Sequence, residues 1–260
     1  MKRTAFLLFF FSITRLTAQR YDIVNFSIEH GLVQSQLNNL AIDKNGFLWA
    51  STLGGVSRFD GKEFKNFNYS NGLSHSIAEN VFVDFSNTVW MSTSRNIQLW
   101  DGKAFKNVIR DSIGKPWTAH YINQTKNGDI YVLGKNLRLY KYDRSKNELK
   151  QISNTSDLVT CFNADQNKLL VALFKKGIFE YDNGSWLPYA LYQPKDSLLQ
   201  LRQLVRDTSE KSWIGVNPLK LYRIKQNHLD PIPLKVDAYF TGIMPYQKSE
   251  YFIATTKGAV

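Results

Sequence analysis

The chain has 260 residues, 43% of them apolar and 14% aromatic, with one cysteine and a formal charge of +11. That length and apolar content suffice for a large core, and the lone Cys161 excludes an internal disulfide. The aromatic richness favours sheet over helix, and the basic balance asks for an anionic partner or surface.

Residues 1–19 come first in the chain. MKRTAFLLFFFSITRLTAQ places Lys2 and Arg3 before an apolar run from Ala5 to Ile13, then a short polar stretch ending in Thr17, Ala18 and Gln19. This is the layout of a secretory signal peptide, with cleavage expected near Ala18 or Gln19, and the apolar run is too short to span a bilayer. No cysteine stands there to carry a lipid. Loss of Lys2, Arg3 and Arg15 leaves the mature chain at +8. A periplasmic or secreted location follows, and it argues against a nucleic-acid partner.

From residue 20 onward the sequence repeats. WASTLGGVSRFDG from Trp49 returns as WMSTSRNIQLWDG from Trp90, then as related segments near Tyr131 and Leu170, at Trp213, and near Ile253. Intervals near 40 with short apolar runs and turns predict a β-propeller of four-stranded blades. The first unit sets the pattern, with strands over 38–43, 47–52, 56–60 and 63–68. Asn45-Gly46, Gly54-Gly55 and Gly61 supply the turns. Residues 20–260 therefore form one all-β domain of five full blades and a partial sixth, which stops inside a hairpin at Val260. The expected identity of this chain is a fragment.

Trp49, Trp90 and Trp213 fall on one strand position, where face-to-face blades need a large flat side chain; packing is preferred here over a sugar-stacking platform. A second repeat, GLVQS from Gly31 and GLSHS from Gly72, links one blade to the next. The segments ahead of it also match, so residues 22–27 are predicted to be an outermost strand. Cys161 sits in a strand-like LVTCFN as a small buried residue.

The stretch NFSIEHGLVQSQLNNLAIDKNGFLWASTLGGVSRFDG resembles the two-component regulator propeller family, whose repeat runs roughly GLxxSxVxxIxxDxxGxLWxGTxxGLxRYDG. Gly31, Leu32, Ser35, Asp43, Gly46, Leu48, Trp49, Thr52, Gly55, Arg58, Asp60 and Gly61 fall on it. The second copy keeps Gly72, Leu73, Ser76, Asp84, Trp90, Thr93, Asp101 and Gly102. The resemblance implies an exported sensor region of a two-component histidine kinase or hybrid regulator, followed by a membrane span and kinase domains. Those parts are absent from these 260 residues, so no kinase reaction and no cofactor is expected of them.

For chemistry, His30, His75, His120 and His228 show no metal-ligand spacing and are expected as ordinary loop or surface residues. The aspartates ahead of the turns, Asp43, Asp84, Asp165 and Asp207, are expected to cap them by accepting backbone N–H groups. No nucleophile elbow, phosphate loop or CxxC is present. A secreted propeller enzyme acting on carbohydrate or lactone is the alternative class, and a protein-interaction platform a third.

Aligning the loops after each second strand places cations at or next to the position of Gly54: Arg95, Lys135, Lys175 with Lys176, and Lys257, with Asn217-Pro218 in the fifth unit. Equivalent loops share one rim of a propeller, so these side chains form a candidate site for an acidic saccharide or another anion. Solvated hairpin lysines are the plainer alternative.

Overall fold

The computed structural model describes residues 24–110, 118–154, 156–165, 168–182, 184–192, 199–207, 212–225, 228–234, 236–247 and 250–259. The expected signal peptide, residues 1–19, and its cleavage point lie outside the described residues.

Short antiparallel sheets follow one another in chain order. The first contains β1 (Leu37–Ile42), β2 (Leu48–Thr52), β3 (Gly55–Phe59) and β4 (Phe64–Phe67); the second contains β5 (Ala78–Val83), β6 (Val89–Thr93), β7 (Ile97–Trp100) and β8 (Phe105–Asn107). In the third, β9 (Ile109–Arg110) adds in parallel to the outer edge of β10 (Ala119–Gln124), β11 (Ile130–Gly134), β12 (Leu139–Asp143) and β13 (Glu148–Gln151). The fourth is β14 (Val159–Asp165), β15 (Lys168–Leu173), β16 (Gly177–Asp182) and β17 (Ser185–Leu191), and the fifth β18 (Gln203–Asp207), β19 (Ser212–Asn217), β20 (Lys220–Lys225) and β21 (His228–Ile232). The last has three strands, β22 (Phe240–Gln247), β23 (Glu250–Thr255) and β24 (Gly258–Ala259). Five complete blades and a partial sixth are therefore present, the all-β propeller that the repeat implies.

The second strand of each full blade is covered on both faces, as β6 shows with all five residues buried. Alternation then sends successive side chains to opposite neighbours. Trp49 packs forward with Val56 and Phe67 onto Val81, Val89 and Met91 of the second blade. Trp90, one residue out of step with Met91, packs forward onto Ala119, Ile122 and Val132 of the third. Tyr131 faces the fourth blade, so in the first three blades the large flat residue fills the forward interblade layer. Trp213 corrects the expectation of one shared position: it stands four residues before the hairpin pair Asn217–Lys220 where Trp49 stands three before Thr52–Gly55, so it faces back onto the fourth blade and Ile214 takes the forward place. Cys161 is buried in one of these layers.

At the two ends of the stack the same positions are bare. Leu37, Leu40 and Ile42 of β1 are exposed, whereas their second-blade counterparts Ala78 and Val81 are buried; Met244 and Phe252 are exposed on the far face of the last sheet.

One expectation needs correcting. Residues 24–27, the described part of the predicted outermost strand, are in no strand. A strand requires a sheet edge to pair with; the copy at 64–67 has β3, while the earlier copy rests on side chains. Its Phe26 ring lies 4.9 Å from Phe59 and 5.6 Å from Phe64, against the outer part of the first blade. Ser27 and His30 then cap a single 3-10 turn, Ile28–His30, and Asn68 and Asn71 do the same for Tyr69–Asn71 ahead of the second blade.

Candidate functional site

In the second, third, fourth and sixth blades the hairpin between the second and third strands is tied to the residue preceding the first strand of its own blade. Ser94 N–H donates to the Ile77 carbonyl, Lys135 to Thr118, Phe174 to Leu158 and Thr256 to Tyr239, all at 2.9–3.1 Å. These bonds gather the hairpins at the end where the first strands begin. Arg95, Lys135, Lys175, Lys176 and Lys257 all lie on these hairpins.

The structure changes their electrostatics, because carboxylates lie beside three of them. Lys135 Nζ is 2.6 Å from Glu79 Oε1 of the preceding blade, Lys176 Nζ is 2.5 Å from Asp157 Oδ1, and Lys257 Nζ is 2.9 Å from Asp237 Oδ2. Surface pairs of this kind add about 0–1 kcal/mol of stability and cancel much of the local field. Lys175 instead stands 5.3 Å from the Phe174 ring centroid, and Arg95 is exposed. Among the described residues no carboxylate pairs with either.

Inside this rim the first strands carry a feature that the sequence pattern did not reveal. Register shifts leave one extra residue in the same place, Asn38 in β1, Glu79 in β5, His120 in β10, Thr160 in β14 and Thr241 in β22. In the fifth blade Arg202 holds the equivalent place, its N–H 2.7 Å from the Val216 carbonyl. A bulge re-aims the extra side chain away from the regular alternation. His120, Thr160, Arg202 and Thr241 thereby line one cavity of about 490 Å³, together with Met244 and Phe252 of the last sheet. His120 is thus no ordinary loop histidine, as expected from sequence, but an inner-strand residue at this cavity. Desolvation, with the Lys135 and Arg202 cations, holds its pKa below the ordinary 6.5, while Glu79 acts the other way. The signal that would have found these residues is the recurrence of a polar side chain just inside each first strand.

At the opposite end Asp43 and Asp84 are structural; the Asp165 side chain lies outside the described residues. Asp43 accepts the N–H groups of Asn45 and Phe47 on Oδ1 and the Trp49 indole N–H on Oδ2 at 2.8 Å. Asp84 repeats this with Ser86, Thr88 and Trp90. Where Thr125 stands in place of the acid, Tyr131 stands in place of the tryptophan. Asp60 and Asp101 close the next hairpin, each accepting two backbone N–H groups ahead of a left-handed Gly61 or Gly102. The Lys106 ammonium together with the Ala104 and Lys103 N–H groups holds the Asp101 carboxyl well below its usual range.

Among the described residues no three His, Cys, Asp or Glu side chains converge to hold a metal, and no helix is long and apolar enough to cross a membrane. His30 caps its turn, His75 Nδ1 accepts the Ile77 N–H, and His228 lies 3.2 Å from Asp230.

No family model and no curated protein matches the chain. Solved structures do. The extracellular domain of the hybrid two-component system BT3049 from B. thetaiotaomicron matches with a TM-score of 0.68 at 18% identity, over 91% of this chain and 34% of that one. That of BT4673 from the same organism gives 0.57 at 13%, over 84% and 32%. The dihydro-heme d1 dehydrogenase NirN, solved in complex with DHE, gives 0.61 at 16%, over 84% and 51%. The chain spans about a third of the length of the two extracellular domains. A fold shared by receptors and a dehydrogenase does not fix an activity. What these likenesses do establish, beside the repeat motif, is that this chain has the propeller fold of the extracellular domains of two-component systems.

Proposed function

We propose that the chain is the ligand-sensing propeller of an exported two-component receptor, and that it acts by binding an anionic extracytoplasmic ligand, an acidic saccharide, rather than by catalysis. The observation that carries this is the gathering of five cations onto equivalent hairpins at one end of the propeller, with Arg95 and Lys175 left without a carboxylate among the described residues. The leader-like residues 1–19 and the fold shared with receptor ectodomains agree with it. In a full-length receptor, binding would signal by favouring one arrangement of the propeller and the domains beyond it, which requires unequal affinity for the two states.

The test is charge reversal measured on an array of anionic glycans at two salt concentrations. Arg95→Glu with Lys175→Glu is the cleaner variant, because neither disturbs an ion pair. Lys135→Glu, Lys176→Glu and Lys257→Glu would each place a second acid beside Glu79, Asp157 or Asp237 and so lose binding more steeply. Binding that is insensitive to both salt and reversal refutes the proposal, as does the absence of any glycan ligand.

A further inference from the structure

The first blade carries a charge that its sister blades neutralise for themselves. On its third strand Arg58 stands opposite Trp49, and the counterparts of Arg58 are Leu99 in the second blade, Lys141 in the third and Glu180 in the fourth. Two places before Trp49 and its counterparts is the position that can partner this residue. The third blade has Asp129 there, 2.8 Å from Lys141, and the fourth inverts the pair as Lys168 with Glu180 at 2.5 Å, while the second has Thr88 with Leu99 and no charge at all. In the first blade the place belongs to Phe47, whose ring centroid lies 4.3 Å from the Arg58 guanidinium carbon. Stacking on a ring holds a guanidinium by its face and leaves its N–H edges unused. Among the described residues no carboxylate pairs with Arg58, and its buried Nε has no hydrogen-bond partner.

Arg58 lines a cleft of about 380 Å³ between the first and second blades, at the end opposite the hairpin rim. Lys44 ties its two walls together: the backbone N–H donates to Asn87 Oδ1 at 2.7 Å and Nζ to the Phe85 carbonyl at 2.6 Å. Charges of the other sign are present too. Asp43 and Asp101 line the same cleft. A carboxylate offers about four acceptor sites, and each of these has three filled: Asp43 by two backbone N–H groups and the Trp49 indole, Asp101 by two backbone N–H groups and Lys106. Arg58 and Lys106 balance the two acids, so the fixed charge here is close to zero and a multiply charged anion gains nothing from it. What the cleft offers is a cation lacking an acid, beside acids with room for one more donor.

We propose that this interblade cleft binds a free α-amino acid. The Arg58 guanidinium takes the carboxylate, and the remaining acceptor sites of Asp43 and Asp101 take the ammonium. An Arg–carboxylate pair is short, bidentate and about twice as strong as a neutral hydrogen bond, which gives the zwitterion its advantage over a neutral analogue of the same shape. The site shares no residue with the hairpin rim and does not depend on the saccharide proposal.

Thermal unfolding of the whole chain with each standard L-α-amino acid at millimolar concentration finds the binder, and calorimetry of that amino acid beside its carboxamide and its deaminated acid tests the site. Each analogue lacks one of the two charges and should bind at least about tenfold more weakly than the parent. Arg58→Leu should cost at least about tenfold in affinity while the fold stays intact, since Leu99 holds that place in the second blade. Phe47→Asp copies Asp129 of the third blade and should have the same effect, by giving Arg58 an acid of its own. Unfolding of each variant without ligand verifies that it is folded. Failure of every amino acid to raise the unfolding temperature overturns the proposal. A deaminated acid that binds as tightly as its parent, which would make the cleft a plain carboxylate site, or binding that survives Arg58→Leu, overturns it as well.

Discussion

Replacing Asp84 with alanine tests whether the repeated acid is a structural fastener. Asp84 is buried, and its two oxygens accept from Ser86 N–H at 2.8 Å, Thr88 N–H at 2.9 Å and the Trp90 indole at 3.2 Å. The indole is fully buried and finds no water after the change, which costs about 1–3 kcal/mol. The two backbone groups sit at a hairpin where water can partly replace the carboxylate, so each adds roughly 0.5–1 kcal/mol. Arg144, 3.5 Å away on a half-exposed side chain, adds little. The expected loss is about 3 kcal/mol, a fall in Tm on the order of 6–12 °C for a domain of this size. Asp84→Asn keeps one carbonyl oxygen for the backbone pair and should cost only about 1–2 kcal/mol. Denaturant unfolding gives the energies, and hydrogen exchange at Ser86 and Thr88 shows whether the hairpin itself has loosened. A loss below about 1 kcal/mol for alanine, or an asparagine variant as damaged as the alanine one, would refute the fastener.

Three further outcomes are expected. Gly55 has φ +142° and an added Cβ would sit 2.2 Å from the Phe67 carbonyl oxygen, whereas at Gly61, φ +100°, it would meet nothing. Gly55→Ala should therefore abolish stable folding of the first blade, while Gly61→Ala should cost only about 1–2 kcal/mol of left-handed strain, as measured by thermal unfolding. Burial pushes the Cys161 thiol up to about 12, so it should resist thiol reagents at neutral pH and react fully only in denaturant. The lowered pKa of His120 means that the folded chain binds fewer protons there than the unfolded one. Stability should thus be undiminished above 6.5 and decline as pH falls through that value towards the folded pKa, and His120→Gln should flatten this part of the pH–stability curve.

Much of the fold was legible because its causes are local or periodic. Tight turns need Gly61 and Gly102 where φ is positive, and the 41-residue return from Trp49 to Trp90 reports a layer that recurs between blades. Residues 24–27 misled because strand formation depends on an available edge, which a matching sequence cannot guarantee. The rim was found on its cations, but its acids were missed: Glu79 reaches Lys135 from another blade, 56 residues away in the chain. The bond from the Trp49 indole to Asp43 was equally hidden, although the paired replacement by Thr125 and Tyr131 in the third unit was a trace of it. The sequence pattern put His120 among loop or surface residues and did not single out Arg202, because one extra residue per strand breaks the alternation by which a side chain's direction is read.

That extra residue has a consequence for how such a protein can change. Regular strand positions are tied to the layers between blades, where altering a side chain means altering its neighbours. The bulged position lies outside those apolar layers, and across this one chain it already holds Asn38, Glu79, His120, Thr160, Arg202 and Thr241, six places with five chemistries. Some of them have polar ties to a neighbour, as Asn38 has to the Ala78 carbonyl and Glu79 to Lys135. The propeller thus keeps a set of interchangeable parts around its axis, and a lineage could retune what the protein recognises there while the scaffold that displays them stays as it is.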